Sequence, residues 1–508
     1  MPFQETNKFF YNPGLDLVRF MIYNKSRTTH RVVIMYMMKE NKNVAEDKQT
    51  RVRHWLLDRI DGGELRGGDK LPGAREISSR LDVSLLTTQN AIETLVNEGV
   101  LESYPRRGTF VAAKWRECLL QYNFRANNPA LPWLKDIKVM TSGILPRLYF
   151  AAGFDIGMIE LRPTLVVQSC RNEYMDMREL FDRCFPDKTD FFMEAFNSYY
   201  SSDGSLPGVP FIFSPRVMYY NRALLAQAGC PEPHYNWSWK DFIDSVGKLK
   251  NILPGEQIFN WNYDKHQWLG FIFRAGGRLF APEDKLDPVR IDHPDTRRGL
   301  RLFRELQELL EPNDIGTSDD YRREFGRGRC AFMLAPREDL YFIKREGFDN
   351  WGTVPMPEIP GGKPLTTQAA DLICIRKSCS NLKMAEDFLK LMLSEPVQKF
   401  IGDSGYGIPI RKSAAENLIH SSDSREKTFI GEIPHMSAQY NIDSIEIMNL
   451  VLDGVNQMWE NNADIDTFTT ELAAAVRTFM KIKNAVSPSA TSVPPLDRVR
   501  RGAVAKYC

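Results

Sequence analysis

The stretch GELRGGDKLPGAREISSRLDVSLLTTQNAIETLVNEGVLESYPRRGTFV, residues 63–111, decides the fold of the front of the chain. Ala74, Ile77 and Leu81 recur at helical spacing, which predicts a short helix with one buried face. Asp82 follows, and because Asp tolerates a left-handed backbone, a sharp turn is expected there. A second helix is expected directly after this turn.

The second helix is predicted over residues 85–98, because Ser84 is a favourable N-cap residue and apolar residues recur along one face. Two short strands are then expected on either side of residues 104–108, a turn that contains Arg106 and Arg107. Two helices joined by a tight turn and followed by a two-stranded wing form a winged helix-turn-helix. In such a domain the second helix enters the major groove of DNA.

An ordered set of residues runs through this stretch: Gly63, Leu65, Gly68, Leu71, Pro72, Arg75, Val83, Ser84, Thr87, Ala91, Leu95, Gly99, Gly108, Thr109, Phe110 and Val111. The set resembles the DNA-binding domain of the GntR family of bacterial transcription regulators. That resemblance implies a homodimer that binds double-stranded operator DNA. The chain departs from the family pattern at the following positions: Gly67, Gly73, Leu85, Gln89, Asn90 and Arg106. These departures affect the operator sequence and not the fold.

Two kinds of DNA contact are expected from this region. Thr87, Gln89 and Asn90 lie on the outer face near the start of the second helix and are expected to contact base edges. Contacts to phosphates or to the minor groove are expected from Arg75, Ser84, Arg106, Arg107 and Gly108. Residues 48–116 contain twelve Lys and Arg against nine Asp and Glu, so the region is only mildly basic. Its affinity would therefore depend on local placement and on dimerisation.

The composition indicates a globular protein of several domains that stays inside the cell. The chain has 508 residues, of which 43% are hydrophobic and 26% charged, and its net charge is +1. Its eight cysteines show no C-x-x-C spacing, which favours reduced thiols over a disulfide or metal framework. No apolar run is long enough to span a membrane, and no secretory signal is found. We expect a cytoplasmic protein without a membrane partner or a metal site.

Four regions are predicted along the chain. Residues 1–45 show no sustained periodicity and are expected to be a poorly ordered extension. Residues 46–114 form the winged head, which starts with an amphipathic helix over residues 47–61. Residues 115–484 alternate strand-like apolar runs with amphipathic helices, which is typical of α/β domains. Residues 485–508 are rich in Pro and Ser and are predicted to be disordered. The candidate strands of the third region are residues 137–140, 156–161, 209–213, 217–220 and 372–375.

Several blocks of the third region follow one another in a fixed order: VMYYNRALL (217–225), AGCPEP (228–233), WSWKDF (237–242), FIFRAGGRLF (271–280), FGRGRCAFM (325–333), VPMP (354–357), AEDFLKLMLS (385–394) and GIPIR (407–411). In this order they resemble extracellular solute-binding proteins of the family-1, sugar-binding kind that serve ABC transporters. The resemblance implies a type II periplasmic-binding-protein-like domain, whose two α/β lobes close on a ligand. The expected hinge crossings are residues 216–220, 354–357 and 407–411. Residues 115–205 fit less well, because the piece before residue 137 is too short for a crossover helix.

A sugar cleft needs aromatic platforms together with hydrogen-bonding side chains. Residues 261–268, WNYDKHQW, have that composition and lie where the resemblance places ligand contacts. We expect Trp261, His266, Gln267 and Trp268 to contact the ligand, and core packing is the alternative for either tryptophan.

Weaker ligand candidates lie at strand ends and beyond. Arg337 stands where sugar-binding relatives often carry a stacking tryptophan. If it faces the cleft, the ligand is anionic or the guanidinium stacks on it, and a surface salt bridge is the alternative. Glu160 and Arg162 come after residues 156–159 of one predicted strand, and Asp371 comes after residues 368–370, so they are further candidates.

No catalytic motif such as G-x-S-x-G, H-E-x-x-H or a Walker loop is present, so we expect neither an enzyme nor a cofactor. The two resemblances predict a ligand-responsive transcription regulator whose effector, a mono- or oligosaccharide, changes operator affinity by closing the lobes. A repressor is the expected type, with activation left open. Three alternatives are kept: a transporter-associated solute-binding protein without a regulatory role, an aminotransferase-like enzyme, and lobes that serve only dimerisation.

Overall fold

The computed structural model of the chain describes residues 17–23, 32–38, 48–118, 120–124, 148–150, 159–163, 167, 171–201, 203–260, 267–310, 318–379, 381–437 and 444–486. The chain divides into two compact units. One contains residues 1–123, and the other has residues 159–379 and 385–508 as its main parts.

An antiparallel hairpin lies within the region expected to be poorly ordered. Strand β1, Leu17–Tyr23, pairs with strand β2, Val32–Met38, so that Leu17 lies opposite Met38. The expectation of disorder is therefore wrong for these two segments. Both are rich in β-branched and aromatic residues, which favour strands even without a strict alternation. The remainder of residues 1–45 lies outside the described part of the chain.

The head, residues 48–118, is a winged helix-turn-helix, as predicted. Its elements are helices α1 (Lys48–Asp61), α2 (Ala74–Leu81), α3 (Leu85–Asn97) and α4 (Trp115–Cys118), with strands β3 (Leu101–Tyr104) and β4 (Gly108–Val111). One apolar core holds them together, and its fully buried members include Val52, Leu56, Leu57, Ile77, Ala91, Leu95 and Val100. Lys70 forms an isolated antiparallel β-bridge with Phe110 of the two-stranded wing.

The turn between α2 and α3 has the expected local chemistry. Asp82 has a φ of 50°, in the left-handed region, and ends α2. Val83 fills the angle between the helices and is 9% exposed. Ser84 caps α3, because its Oγ accepts a hydrogen bond from the backbone N–H of Thr87 at 3.0 Å. Arg51 donates to the carbonyl of Leu81, where a cation offsets the partial negative charge of the end of a helix.

After the head along the chain, the structure describes a parallel pair, strands β5 (Leu120–Phe124) and β6 (Leu148–Phe150). The strand predicted at residues 137–140 lies outside the described residues. The strands that follow are β7 (Ile159–Pro163), β8 (Val209–Pro215), β9 (Val217–Asn221), β10 (Phe259–Asn260), β11 (Phe332–Ala335), β12 (Trp351–Val354), β13 (Thr366–Ile375), β14 (Ile408–Pro409) and β15 (Met436–Ser437). The predictions at 209–213, 217–220 and 372–375 are confirmed.

Helices cover the strands of the two-lobed unit. They are α5 (Arg178–Cys184), α6 (Glu194–Asn197), α7 (Arg222–Gln227), α8 (Trp239–Leu249), α9 (Gly255–Ile258), α10 (Trp268–Arg274), α11 (Pro294–Leu310), α12 (Ser318–Gly326), α13 (Leu340–Glu346), α14 (Leu382–Met392), α15 (Glu395–Asp403), α16 (Glu416–Ile419), α17 (Ser424–Glu432), α18 (Ile445–Glu460) and α19 (Ile465–Val486). Short 3-10 turns are Arg171–Glu173, Arg337–Asp339, Ser413–Ala415 and Ile433–His435. Within the described residues no helix is long and apolar enough to cross a lipid bilayer.

Two separate sheets define the two lobes. Lobe one contains the strand order β14-β8-β13-β7, in which β13 runs antiparallel to both neighbours, and β15 pairs with the start of β13. Lobe two contains the order β10-β11-β9-β12. This two-lobed architecture agrees with the fold expected from the sequence.

The chain crosses between the lobes at two of the three predicted places. The first crossing is the short step from β8 to β9, and the second follows β12 and leads to β13. The crossing predicted at residues 407–411 is wrong, because this segment holds β14, which pairs with β8 inside lobe one. A later crossing leads from β15 in lobe one to α18, which packs in the core of lobe two.

The core of lobe two is aromatic and tightly packed. Trp237 and Trp239, assigned to packing from the sequence, are 1% and 8% exposed and belong to this core. Helix α11 approaches α10 closely at Gly299, where a Cβ atom would lie 2.4 Å from the Cα of Ile272. Helices α18 and α19 complete the same core. Helix α19 extends to Val486, two residues past the predicted boundary at 484, and the rest of the predicted disordered tail lies outside the described residues.

Candidate nucleic-acid interface and interlobe cleft

The outer face of α3 is exposed along one helical stripe. Gln89 and Asn90 lie three and four residues after Leu86, Glu93 lies three residues after Asn90, and all four side chains are exposed. The opposite face packs into the head through buried residues such as Leu95. Gln89 and Asn90 therefore stand on an accessible surface, while their contact with base edges stays a prediction.

Ser84 and Thr87 are held together at the start of α3. Their hydroxyl oxygens lie 2.7 Å apart and share a hydrogen bond, in addition to the cap that Ser84 forms. Ser84 is exposed and Thr87 is half-buried. The local cap thus fixes both hydroxyls in place, which would orient them if the end of the helix entered a groove.

The wing turn carries a strained arginine at its tip. Arg106 has a φ of 62°, a left-handed conformation that costs a residue with a side chain about 1–2 kcal/mol. Arg107 donates its backbone N–H to the carbonyl of Tyr104 at 3.1 Å and closes the turn. Both arginine side chains are exposed. A strained residue at an exposed tip is a candidate for a functional contact.

The rest of the wing supports this turn. Gly108 has a φ of 108°, and a Cβ atom there would lie 2.7 Å from Cε of Lys70, so a side chain at this position would disturb the wing. The guanidinium of Arg107 lies 5.9 Å from the centre of the Tyr104 ring. Arg75, on α2, is also exposed. The predicted DNA contacts of the head therefore all come from exposed or half-buried positions.

The interlobe cleft is where the end of β8 meets the turn after β11. The backbone N–H of Arg337 in lobe two donates to Oγ of Ser214 in lobe one at 2.8 Å. The hydroxyl of Tyr219 donates a hydrogen bond of 2.8 Å to the carbonyl of Pro336, the residue before Arg337. The 3-10 turn Arg337–Asp339 is therefore pressed directly against lobe one.

Arg337 is the best-connected side chain of this cleft. It is 2% exposed, and its Nε and Nη2 donate to the two carboxylate oxygens of Glu426 at 2.7 and 3.0 Å. Its Nη1 donates to the carbonyl of Gly407 in lobe one. The predicted alternative of a surface salt bridge is wrong, because the ion pair is buried. Since Glu426 offsets its charge, Arg337 is not a free cation for an anionic ligand.

Two acids lie beside this turn. Burial raises the pKa of Glu338 to about 8, the charges of Asp371 and Asp339 raise it as well, and Arg216 acts in the opposite direction. Burial raises the pKa of Asp371 to about 6. Oε2 of Glu338 is buried and has no hydrogen-bond partner among the described residues. The charge of Asp371 thus reaches the Arg337–Asp339 turn through Glu338, a residue that sequence analysis missed because no motif marks it.

Arg216 occupies the crossing between β8 and β9. Its backbone N–H donates to the carbonyl of Thr367 at 2.9 Å, and Thr366 donates its hydroxyl to the carbonyl of Arg216 at 2.5 Å. The hinge is thereby fastened to the start of β13. The sequence predicted that the chain crosses between the lobes at residue 216. It did not predict that the charge of Arg216 lies near Glu338.

Glu160 is not at the cleft. It is fully buried on β7 and accepts hydrogen bonds from the hydroxyl of Tyr174 and from Nε of Arg376 at 3.1 Å. Its register partner on β13 is Cys374, three residues from Asp371, or about 10 Å along a strand. The prediction of a ligand contact at Glu160 is therefore wrong, since its charge is paired inside lobe one. Arg162 lies on the same strand, opposite Leu372.

Gln267 and Trp268 are also interior residues. They are 4% and 1% exposed, and Trp268 belongs to the core of lobe two. Every residue of helix α10 is buried, and a helix that is buried all round packs inside a domain rather than along a cleft. Core packing, the alternative interpretation, thus describes Trp268. Trp261 and His266 lie outside the described residues. Among the residues that the structure does describe, no cluster of metal-ligating side chains occurs.

Comparison with known proteins finds a family for the two-lobed part and another for the head. Residues 172–427, just over half of the chain, match the family described as bacterial extracellular solute-binding protein. The chain belongs to the bacterial extracellular solute-binding proteins. Residues 48–111 match the family of bacterial regulatory proteins, gntR family. This solute-binding protein therefore carries a GntR-type winged helix-turn-helix at its front.

Individual relatives cover the solute-binding part. The sn-glycerol-3-phosphate-binding periplasmic protein UgpB of Escherichia coli (strain K12) is 25% identical over 174 residues, 33% of this chain. The matched segment spans 39% of the length of that relative. The solved structure of an ABC transporter solute-binding protein from Thermotoga lettingae, bound with α-D-tagatose, has a TM-score of 0.60 at 16% identity and covers 71% of this chain and 99% of its own.

A second solved structure is UgpB from Mycobacterium tuberculosis in complex with glycerophosphocholine. It has a TM-score of 0.60 at 16% identity and covers 72% of this chain and 99% of its own. At these identities the solved structures establish the two-lobed fold. Both matched families are non-enzymatic, and together they indicate a regulator with a solute-binding type of domain.

Proposed function

We propose that this protein is a cytoplasmic, ligand-responsive transcription regulator that binds operator DNA as a homodimer. A mono- or oligosaccharide held between its two lobes would change the affinity of the head for DNA. The observation that carries the proposal is the presence on one chain of a GntR-type head with an exposed α3 face and of a two-lobed solute-binding fold.

Lobe closure supplies a physical route for the response. Arg337 and its turn contact Ser214 and Gly407 across the lobes, so a movement of one lobe must break or form these hydrogen bonds. A solute shifts the equilibrium only by its difference in affinity for the open and closed forms. Glu338 and Asp371 are suited to accept hydrogen bonds from the hydroxyl groups of a sugar, because each carboxyl group has several oxygen lone pairs.

Dimerisation would couple solute binding to operator affinity. The head is only mildly basic, so two heads on a pseudo-palindromic operator bind much more tightly than one. A ligand that changes the spacing or orientation of the two heads then changes operator affinity without touching DNA. No enzymatic step is part of this proposal.

The test uses the full-length protein and two measurements. Thermal unfolding is recorded with and without tagatose, maltose, sn-glycerol 3-phosphate and glycerophosphocholine, which represent neutral sugars and the anionic or zwitterionic solutes of relatives. DNA duplexes are selected from a random pool, and their affinity is measured with and without any solute that raises the melting temperature. We expect a neutral sugar to raise it and to change DNA affinity by about fivefold or more.

Three other outcomes would contradict the proposal in different ways. Solute binding without selection of any duplex would favour a transporter-associated binding protein. Selection of a duplex whose affinity no stabilising solute changes would favour lobes that serve only dimerisation. A visible absorbance band of a bound pyridoxal cofactor in the purified protein would favour the aminotransferase-like alternative. A variant with Arg106 and Arg107 both changed to Ala serves as the control, because its DNA binding should be strongly weakened while its melting temperature still responds to the solute.

A further inference from the structure

Leu86 is a large apolar side chain that points into solvent at the start of α3. It is 66% exposed, whereas Ala91, Ile92, Leu95 and Val96 of the same helix pack into the core of the head. Single exposed leucines are common on protein surfaces, and Leu286 in the two-lobed unit is 99% exposed. What distinguishes Leu86 is the surface on which it stands.

Leu86 is the first member of the exposed stripe on α3. Gln89 and Asn90 follow three and four residues later, so their side chains project from the same face. In a winged helix-turn-helix the beginning of this helix lies deepest in the major groove. An exposed leucine at this place therefore meets base edges whenever Gln89 and Asn90 do.

The chemistry of Leu86 restricts what it can recognise. An aliphatic side chain offers no hydrogen bond, and the one apolar group on the floor of the major groove is the C5-methyl group of thymine. We infer that Leu86 selects an A·T pair in the operator by packing against that methyl group. The inference rests on the proposed DNA-binding function and adds to it a specificity-determining residue.

The helix also fixes where this thymine should lie. Leu86 and Asn90 are four residues apart, or about 6 Å along the helix axis. One base pair rises about 3.4 Å, so this distance spans two base pairs at most if the helix follows the DNA axis, and fewer if the helix lies across the groove. Asn and Gln pair best with adenine in the major groove. The thymine under Leu86 therefore lies within about two base pairs of the adenine that Gln89 or Asn90 contacts.

The experiment starts from the duplex that full-length protein selects from a random pool. Each thymine of a half-site is replaced in turn by deoxyuridine, which removes only the methyl group, and the affinity is measured by fluorescence anisotropy at a fixed salt concentration. One position should lower the affinity of the unmodified protein about fourfold, the effect of burying one methyl group. Leu86→Ala should weaken binding to the thymine duplex about tenfold and abolish the difference between thymine and uracil.

Leu286→Ala is the matched control, because it makes the same chemical change at an exposed leucine outside the head and should leave both affinities unchanged. Thermal unfolding and the elution volume of Leu86→Ala are measured alongside and should match those of the unmodified protein. The inference is overturned if no thymine is sensitive to the change, if Leu86→Ala still distinguishes thymine from uracil, or if Leu86→Ala changes the oligomeric state. Failure to select any duplex would instead refute the proposed DNA-binding function, and the inference with it.

Discussion

The head and the interlobe cleft place their polar groups in opposite environments. The candidate DNA-contacting residues of the head, such as Gln89, Asn90 and Arg106, are exposed and come from one stretch of about fifty residues. The cleft instead buries Arg337, which is bonded to residues 123, 70 and 89 positions away in the sequence. The difference teaches that substitutions of exposed side chains in the head should change DNA binding much more than stability, whereas substitutions in the cleft should change stability first.

The largest expected effect is at Arg337. Changing Arg337 to Ala leaves Glu426 buried without its partner, so the free energy of unfolding should fall by about 3–5 kcal/mol. Urea unfolding of the full chain measures it. Adding Glu426→Gln to the variant should recover part of the loss, because it removes the uncompensated charge. Lys240→Ala, which breaks an exposed ion pair with Asp244, is the control and should leave the unfolding midpoint unchanged. A fully stable Arg337→Ala would break the comparison.

The next effect concerns the wing and should appear in binding alone. Changing Arg106 and Arg107 to Ala together should weaken binding to every duplex by about a hundredfold. The slope of log affinity against log salt should become shallower by about 2, since two phosphate contacts are lost. Anisotropy titrations at several salt concentrations measure both. The double variant Arg183→Ala and Arg329→Ala removes two exposed arginines outside the head and should change neither quantity. An unchanged salt slope in the wing variant would contradict the assignment.

A third prediction uses the protonation of the cleft. Burial raises the pKa of Glu338 to about 8. At a pH between the ordinary pKa of a glutamate and 8, the folded protein therefore keeps a proton on Glu338 that the unfolded chain releases. Its contribution to stability is complete below the ordinary pKa of a glutamate and is lost as the pH rises through 8. The free energy of unfolding should therefore fall between pH 6 and 9, and Glu338→Gln should remove about 2 kcal/mol of that fall. Glu93→Gln, an exposed change in the head, is the control. An identical pH profile for Glu338→Gln would disprove the burial effect.

The smallest effect separates strain from binding at Arg106. Glycine adopts a positive φ without the cost that an arginine incurs, so Arg106→Gly should stabilise the head by about 1 kcal/mol. Arg106→Ala keeps the strained backbone and should not stabilise. Both variants should weaken DNA binding to a similar degree, because both lack the guanidinium group. Thermal unfolding and anisotropy on the same samples measure the two effects. A loss of stability in Arg106→Gly would show that the arginine side chain holds the turn.

Much of the head could be predicted because its signals are local. Helical periodicity, the Ser84 cap and the Asp82 turn each involve neighbours within a few residues, and the observed elements follow them closely. The two-lobed fold also followed from ordered blocks of sequence. The candidate ligand residues fared less well, because composition marked Gln267 and Trp268 as polar-aromatic cleft residues while their helix is buried on every side.

Two carboxylates of lobe one, Glu160 and Asp371, have surroundings that sequence patterns could not predict. Glu160 and Asp371 both lie on neighbouring strands of lobe one, yet register places one beside Arg376 in the core and the other at the cleft. A shift of a few residues along a strand decides between these environments, and sequence patterns do not fix it. Glu338 carries no motif at all and matters only because the fold buries it near Asp371.

The sequence by itself thus determined the winged head, the exposed face of α3 and the two-lobed architecture. These depend on periodicity, on caps and turns, and on ordered blocks, all of which are written along the chain. Only the tertiary structure decided that Arg337 is bonded across the lobes to Ser214 and Gly407, and that Asp371 lies close enough to Glu338 for its charge to raise the pKa of Glu338. Contacts between residues some seventy to more than a hundred positions apart depend on how whole lobes pack, and burial, which sets their charge, arises only from that packing.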